Sequence, residues 1–149
     1  MKNLFLKLLF LLLPVFIFSQ KMDQRNLDGK IAIRGYDPVA YIIQNKAVKG
    51  DKSFSVDVNG ATYYTSSAKN QQLLKSNPSK YEPAYGGWCA FAIGDSGEKV
   101  SIDPKTFKII DGKTYLFYNQ FFNNTLKTWN KNEPILKTNA DKNWKKYSK

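Results

Sequence analysis

Phe54-Ser-Val-Asp-Val58, Asn59-Gly60 and Ala61-Thr-Tyr-Tyr-Thr65 form the stretch that decides the fold class. Apolar and polar residues alternate on both sides of an Asn-Gly pair. Alternation with a period of two marks a half-buried strand, and Asn-Gly supplies the two left-handed residues of a tight hairpin turn. The pattern returns at Phe107-Lys-Ile-Ile110, Asp111-Gly112 and Tyr115-Leu-Phe-Tyr118, which predicts a second hairpin. Helix signals lie around both. Asp37 before Pro38 opens a short helix or turn over 38–43, because the carboxylate accepts free N–H groups and proline fits the first turn. Ser66 or Ser67 caps another helix to about Ser76, with Leu73 and Leu74 facing the core. Asn77-Pro78 stops it, since the residue before proline resists the helical region.

Asp103-Pro104 repeats the cap-and-proline device. Phe121, Phe122, Leu126 and Trp129 suit one face of a further helix, and Ile135, Leu136, Ala140, Trp144 and Tyr147 suit a last one. Ile31 and Ile33 start a short strand that stops at Gly35. Short antiparallel hairpins interleaved with helices predict a small α+β domain. No internal repeat or low-complexity linker is evident, so residues 31–147 are read as one domain and the polar residues 20–30 as a flexible leader.

Residues 1–19 have the layout of a cleavable signal peptide. Lys2 and Lys7 form the basic start, Leu8 to Phe18 the apolar run, and Ser19 the small residue near the cut. That run is about half the length needed to span a bilayer, so the chain is expected not to span the membrane and to be periplasmic or secreted. Cleavage would leave 21 basic against 12 acidic residues, a net charge of +9.

The chain contains no histidine and one cysteine, Cys89. Ser-His-Asp and Cys-His catalysis are therefore excluded, as are histidine-ligated haem and a four-ligand zinc site. No intramolecular disulfide can form. Cys89 lies in Tyr81 to Ile93, an aromatic and glycine-rich segment that is expected to be central.

Gly35-Tyr-Asp-Pro-Val-Ala-Tyr41, Asn59-Gly-Ala-Thr-Tyr63 and Asn77-Pro-Ser-Lys-Tyr81 resemble the YHS-domain family. The resemblance is strongest at Tyr85-Gly-Gly-Trp-Cys-Ala90 and continues through Asp103-Pro104, Asp111-Gly-Lys-Thr-Tyr-Leu116, Ala140-Asp141 and Trp144. It implies a binding module for metal, copper in particular. Many members carry two cysteines, and this chain matches only at Cys89.

A thiolate is a soft donor suited to Cu(I). Gly86 and Gly87 would let the backbone approach a ligand closely, and Tyr85, Trp88, Tyr36 and Tyr41, with Asp37 as a polar group, would line an aromatic pocket. The leading expectation is an exported non-catalytic binding module for a soft metal ion or a small ligand near this segment. Two alternatives are a thiol-dependent redox enzyme using Cys89, and an envelope interaction protein. The latter would present Lys142, Lys145, Lys146 and Lys149, among Trp144 and Tyr147, to an anionic surface. Export argues against nucleic acid as the partner. Gly112-Lys113-Thr114 lacks the glycine a phosphate loop needs at position 107, and Asp95, Ser96, Glu98 and Asp103 lack the spacing of a calcium-binding helix-loop-helix.

Overall fold

The computed structural model describes residues 22–148, so the signal peptide expected over 1–19 lies outside them. The fold is α+β, as expected. Leu27–Asp28 (β1) and Ile31–Ala32 (β2) pair antiparallel. The chain then makes a three-residue left-handed turn, Ile33–Gly35, and enters helix α1, Pro38–Gln44. Asp37 caps α1, accepting from Val39 N at 2.8 Å and Ala40 N at 3.3 Å. Strands β3 (Asp51–Val58) and β4 (Ala61–Thr65) form the expected hairpin about Asn59-Gly60. Because β4 also pairs in parallel with β2, the sheet order is β1-β2-β4-β3. Ser67 caps α2 (Ala68–Ser76), and Asn77 both ends it and caps α3 (Pro78–Tyr81).

A second left-handed turn, Tyr85–Gly87, leads into α4 (Ala90–Asp95). Strands β5 (Asp103–Ile110) and β6 (Lys113–Phe117) form the second hairpin. Next come two-residue strands β7 (Asn119–Gln120) and β8 (Asn123–Asn124), then helices α5 (Thr125–Lys131) and α6 (Glu133–Trp144).

The stretch from Ala32 to the end of β4 and the stretch from Ala84 to the end of β6 are two copies of one unit, 52 residues apart. Left-handed backbone occurs at Ile33, Arg34, Gly35, Asn45, Asn59 and Gly60, and again at Tyr85, Gly86, Gly87, Gly97, Asp111 and Gly112. Such conformations are costly for most side chains, and an isoleucine at φ 50° is an outlier, so their recurrence at every matched position is a strong sign of a shared frame. Strand register agrees as well, down to the bulge. Asp51 opposes Thr65 and Ser55 opposes Tyr64, while Asp103 opposes Phe117 and Phe107 opposes Leu116. Asp37 N donates to Val48 O, and Cys89 N to Val100 O, both at 2.9 Å. The expectation of no internal repeat is corrected.

Two apolar clusters form the core. One gathers Val39, Tyr41, Val56, Tyr63 and Leu74, and also takes in Cys89, Ile102 and Leu116 of the second half; the other gathers Tyr85, Ile93, Phe117, Trp129 and Leu136. Tyr41 ties the first half to the second hairpin, donating to Pro104 O at 2.7 Å with its ring edge-on to Phe107, and Phe91 packs against both clusters.

Three further expectations change. Residues 23–30 are no loose leader, because Arg25 donates to Val58 O and Asn59 O at 2.8 Å and pairs with Asp23 and Glu82. Asp103-Pro104 opens a strand, with the Asp103 carboxylate accepting from Lys105 N and Thr106 Oγ1 across the bulge. Phe121 and Phe122 lie on no helix face; they form the turn between β7 and β8.

Candidate functional site

The eight residues expected to line one site are placed in three. Asp37 is fully buried and structural. Besides capping α1, it accepts from Ser66 N at 2.7 Å, Ser66 Oγ at 2.6 Å and Asn70 Nδ2 at 2.7 Å. Tyr41 is core, and burial raises its phenol far above the ordinary value. Tyr36 is half-buried beneath the Lys49 ammonium, 4.8 Å from its ring centre.

Tyr85, Gly86, Gly87 and Trp88 form a second place, and their partner is the chain itself. Asn26 N donates to Gly86 O at 2.8 Å, Asn26 Nδ2 to Gly87 O at 3.0 Å, and Trp88 Nε1 to Gln24 O at 2.7 Å. A Cβ on Gly86 would stand 3.1 Å from both Arg25 Cα and the Trp144 ring. The close approach that these glycines permit is therefore to residues 24–26 and to α6. Tyr85 packs edge-on to Trp144 and donates to Asp141 Oδ1 at 2.8 Å; burial and that carboxylate both raise its phenol.

Cys89 is the third place. Its residue exposure is 0%, and its sulfur accepts from Tyr118 N at 3.3 Å and meets Thr125 Oγ1 at 3.5 Å. It is nevertheless not sealed in apolar packing. A pocket of about 430 Å³, open to solvent, adjoins it, lined by Phe91, Ala92, Val100 and Tyr118 with Asp95, Ser96, Asn123 and Thr125. That volume falls in the range of small-molecule sites, and the mixture of apolar wall and few polar groups is their usual chemistry.

The repeat explains the cavity. Cys89 occupies the place of Asp37, and Tyr118 the place of Ser66, each N–H donating to the buried side chain. In the first half α2 follows β4 at once, so Ser66 and Asn70 close over the carboxylate. In the second half the β7–β8 ribbon intervenes before α5, and only Thr125 reaches the sulfur from beyond it. Sequence reasoning missed Phe91, Tyr118, Asn123 and Thr125. The 52-residue correspondence was the signal that would have found Tyr118.

Copper does not fit these residues well. The sulfur's polar neighbours are a hydroxyl and an amide N–H, and among the described residues no group of three or more Cys, Asp or Glu side chains is placed to hold a metal. One thiolate alone would need outside donors. The aromatics of the basic tail are also committed: Trp144 packs on Tyr85, and the Tyr147 hydroxyl donates to Gly97 O at 2.9 Å. Lys113 of the glycine-lysine-threonine triplet donates to Ser79 O at 2.7 Å. Among the described residues no helix is long and apolar enough to cross a membrane. No family model, curated protein or solved structure matches this chain.

Proposed function

We propose that this chain is an exported, non-catalytic binding domain of the YHS type, holding a small and largely apolar molecule in the cavity over Cys89. The observation that carries the reading is the cavity itself, lined by Phe91, Val100 and Tyr118 at the one node of the repeat that is not plugged by polar side chains. The rim groups Asp95, Ser96, Asn123 and Thr125 would orient a polar end of the ligand, and Cys89 would set the depth. A thiol-redox enzyme has less support. The sulfur has no second cysteine and no cationic side chain lining its cavity to favour the thiolate.

The test uses a small uncharged thiol reagent, methyl methanethiosulfonate, and a fluorescent apolar probe, anilinonaphthalene sulfonate. Folded protein is expected to bind the probe saturably and to react slowly at Cys89, after which probe binding is lost. Cys89→Ser should bind the probe and ignore the reagent. Probe binding that survives modification, or a thiol that reacts only on global unfolding, would sink the reading. A Cu(I) titration against a chelator, run on wild type and Cys89→Ala, separates the metal alternative: equal binding by both removes it.

A further inference from the structure

We propose that the β7–β8 ribbon is a membrane-insertion tip, with Phe121 and Phe122 entering the headgroup layer of an anionic bilayer. Phe121 is 88% exposed and Phe122 110%, and neither belongs to an apolar cluster of the core. Both hold left-handed backbone, at φ 51° and 61°, where bulky side chains are rare and Asn or Gly is preferred. The sequence thus places two large apolar side chains where folding disfavours them on both counts, exposure and backbone.

The ribbon is also the element that the first half of the repeat lacks. There, β4 ends at Thr65 and α2 begins at Ala68; in the second half, β6 ends at Phe117 and α5 begins at Thr125. The hairpin and its register need no ribbon, as the first half demonstrates. The ribbon is an addition held on a firm base, where Asn119 Nδ2 donates to Thr106 Oγ1 at 3.0 Å and Thr125 N to Tyr118 O at 3.0 Å.

The occupant follows from size and charge. A stable protein interface buries about 800 Å² on each partner, more than two rings on a two-residue turn offer. A bilayer interface accepts aromatic side chains singly, as amphipathic segments with phenylalanine on one face and lysine beside it do. Between Asp111 and Glu133 the chain has no acidic residue; Lys113 is held on Ser79 O at the far end of β6, and Lys127 and Lys131 follow the ribbon. Lys127 and Lys131 are exposed on α5, the helix that follows the ribbon, and Lys105 is exposed beside Thr106. Of the acids near this end, Glu133 is paired with Lys108 at 2.5 Å. That leaves Asp103, accepting from Lys105 N and Thr106 Oγ1, and Asp95, which lines the cavity with Asn123, as two carboxylates against Lys105, Lys127 and Lys131. The balance is positive, which suits an anionic lipid surface. This inference does not depend on what the Cys89 cavity binds.

The experiment must read the tip itself, because the apolar run at 8–18 would bind lipid on its own. Phe122→Trp in the full chain, mixed with phosphatidylcholine vesicles with or without phosphatidylglycerol, reports its depth through quenching by brominated acyl chains. Extra quenching beyond that of Trp88, Trp129 and Trp144 in wild type is expected, and only with phosphatidylglycerol present. The double variant Phe121→Asn, Phe122→Gly, which removes both rings, reads what they cost the fold. Its melting temperature should stay the same or rise, because Asn-Gly suits the turn. No extra quenching from bound Phe122→Trp, or equal quenching in pure phosphatidylcholine, overturns the proposal. So does a wild-type dimer, seen without vesicles, that the double variant abolishes, which would assign the tip to a second copy of the chain.

Discussion

At Asp37 the first half of the molecule is solid; at Cys89 the second half is hollow. Both residues precede a short helix, both are fully buried, and both accept the backbone N–H that follows the hairpin. The carboxylate also accepts from Val39 N, Ala40 N, Ser66 Oγ and Asn70 Nδ2, so its lone pairs are satisfied and the space around it is filled. The thiol is a weak acceptor with one N–H and one hydroxyl near it, beside an open volume of about 430 Å³. Turns and register fix the frame in both halves. Whether the frame encloses a site depends on what the chain does after the second strand of each hairpin.

Removing the two side chains should therefore have unequal consequences. Asp37→Ala leaves buried donors from Val39, Ala40, Ser66 and Asn70 without an acceptor and should cost about 3–5 kcal/mol. Cys89→Ala deletes one sulfur beside space that already exists and should cost about 1–2 kcal/mol. Urea unfolding of both variants measures the difference. Equal losses would break the comparison, because they would make Cys89 as much a keystone as Asp37.

A subtler contrast lies in the pair Tyr63 and Tyr115, identical residues at matched positions. Burial raises both phenols, and Glu82, accepting the Tyr63 hydroxyl at 3.0 Å, raises that one further, whereas Lys137 pulls Tyr115 back down. The folded state keeps these protons after the unfolded chain has lost them. Stability from each phenol is thus complete below about pH 10, the unfolded value, and is lost as pH rises from there toward the folded value. Tyr63 should contribute about 1.4 kcal/mol per pH unit to the steepness of alkaline unfolding, and Tyr115 less. Unfolding free energies above pH 9 for Tyr63→Phe and Tyr115→Phe should show the greater flattening in Tyr63→Phe. The reverse order would mean that Lys137 does not face the Tyr115 phenol in solution.

How far the sequence could be read follows from which features are local. Asn59-Gly60, Asp111-Gly112, Asp37-Pro38 and Asn77-Pro78 act within a few residues, and the two hairpins, the helix start at Asp37 and the helix stop at Asn77 that they predict are present. Asp103-Pro104 has the same local look as Asp37-Pro38, yet pairing of Asp103 with Phe117 draws it into a strand, a contact set far along the chain. The repeat escaped notice because eight of the 36 pairs between 32–67 and 84–119 are identical; backbone conformation is retained while side chains drift. Phe121 and Phe122 fit a helical spacing with Leu126 and Trp129, but the cap at Asn124 starts the helix after them. The site was legible only at Cys89. Its walls come from α4, the loop at Val100, Tyr118 just past β6, β8 and α5, and no short motif spells out that meeting.

The smallest effect gives the sharpest test of the repeat. Gly60 and Gly112 close the two hairpins at φ 86° and 73°, and a Cβ on either would meet no heavy atom within 4 Å. Substitution by alanine at these positions therefore adds no clash and removes no contact. What remains is the cost of a left-handed alanine, about 1 kcal/mol, set by the backbone alone. If the two turns are copies of one unit, Gly60→Ala and Gly112→Ala should lower stability equally, to within about 0.5 kcal/mol. Surroundings cannot enforce that equality, since Gly60 follows a strand of the four-stranded sheet and Gly112 a strand of a separate two-stranded one. A clear inequality would show that the turns differ in solution, and the shared frame would then not extend to the hairpin tips.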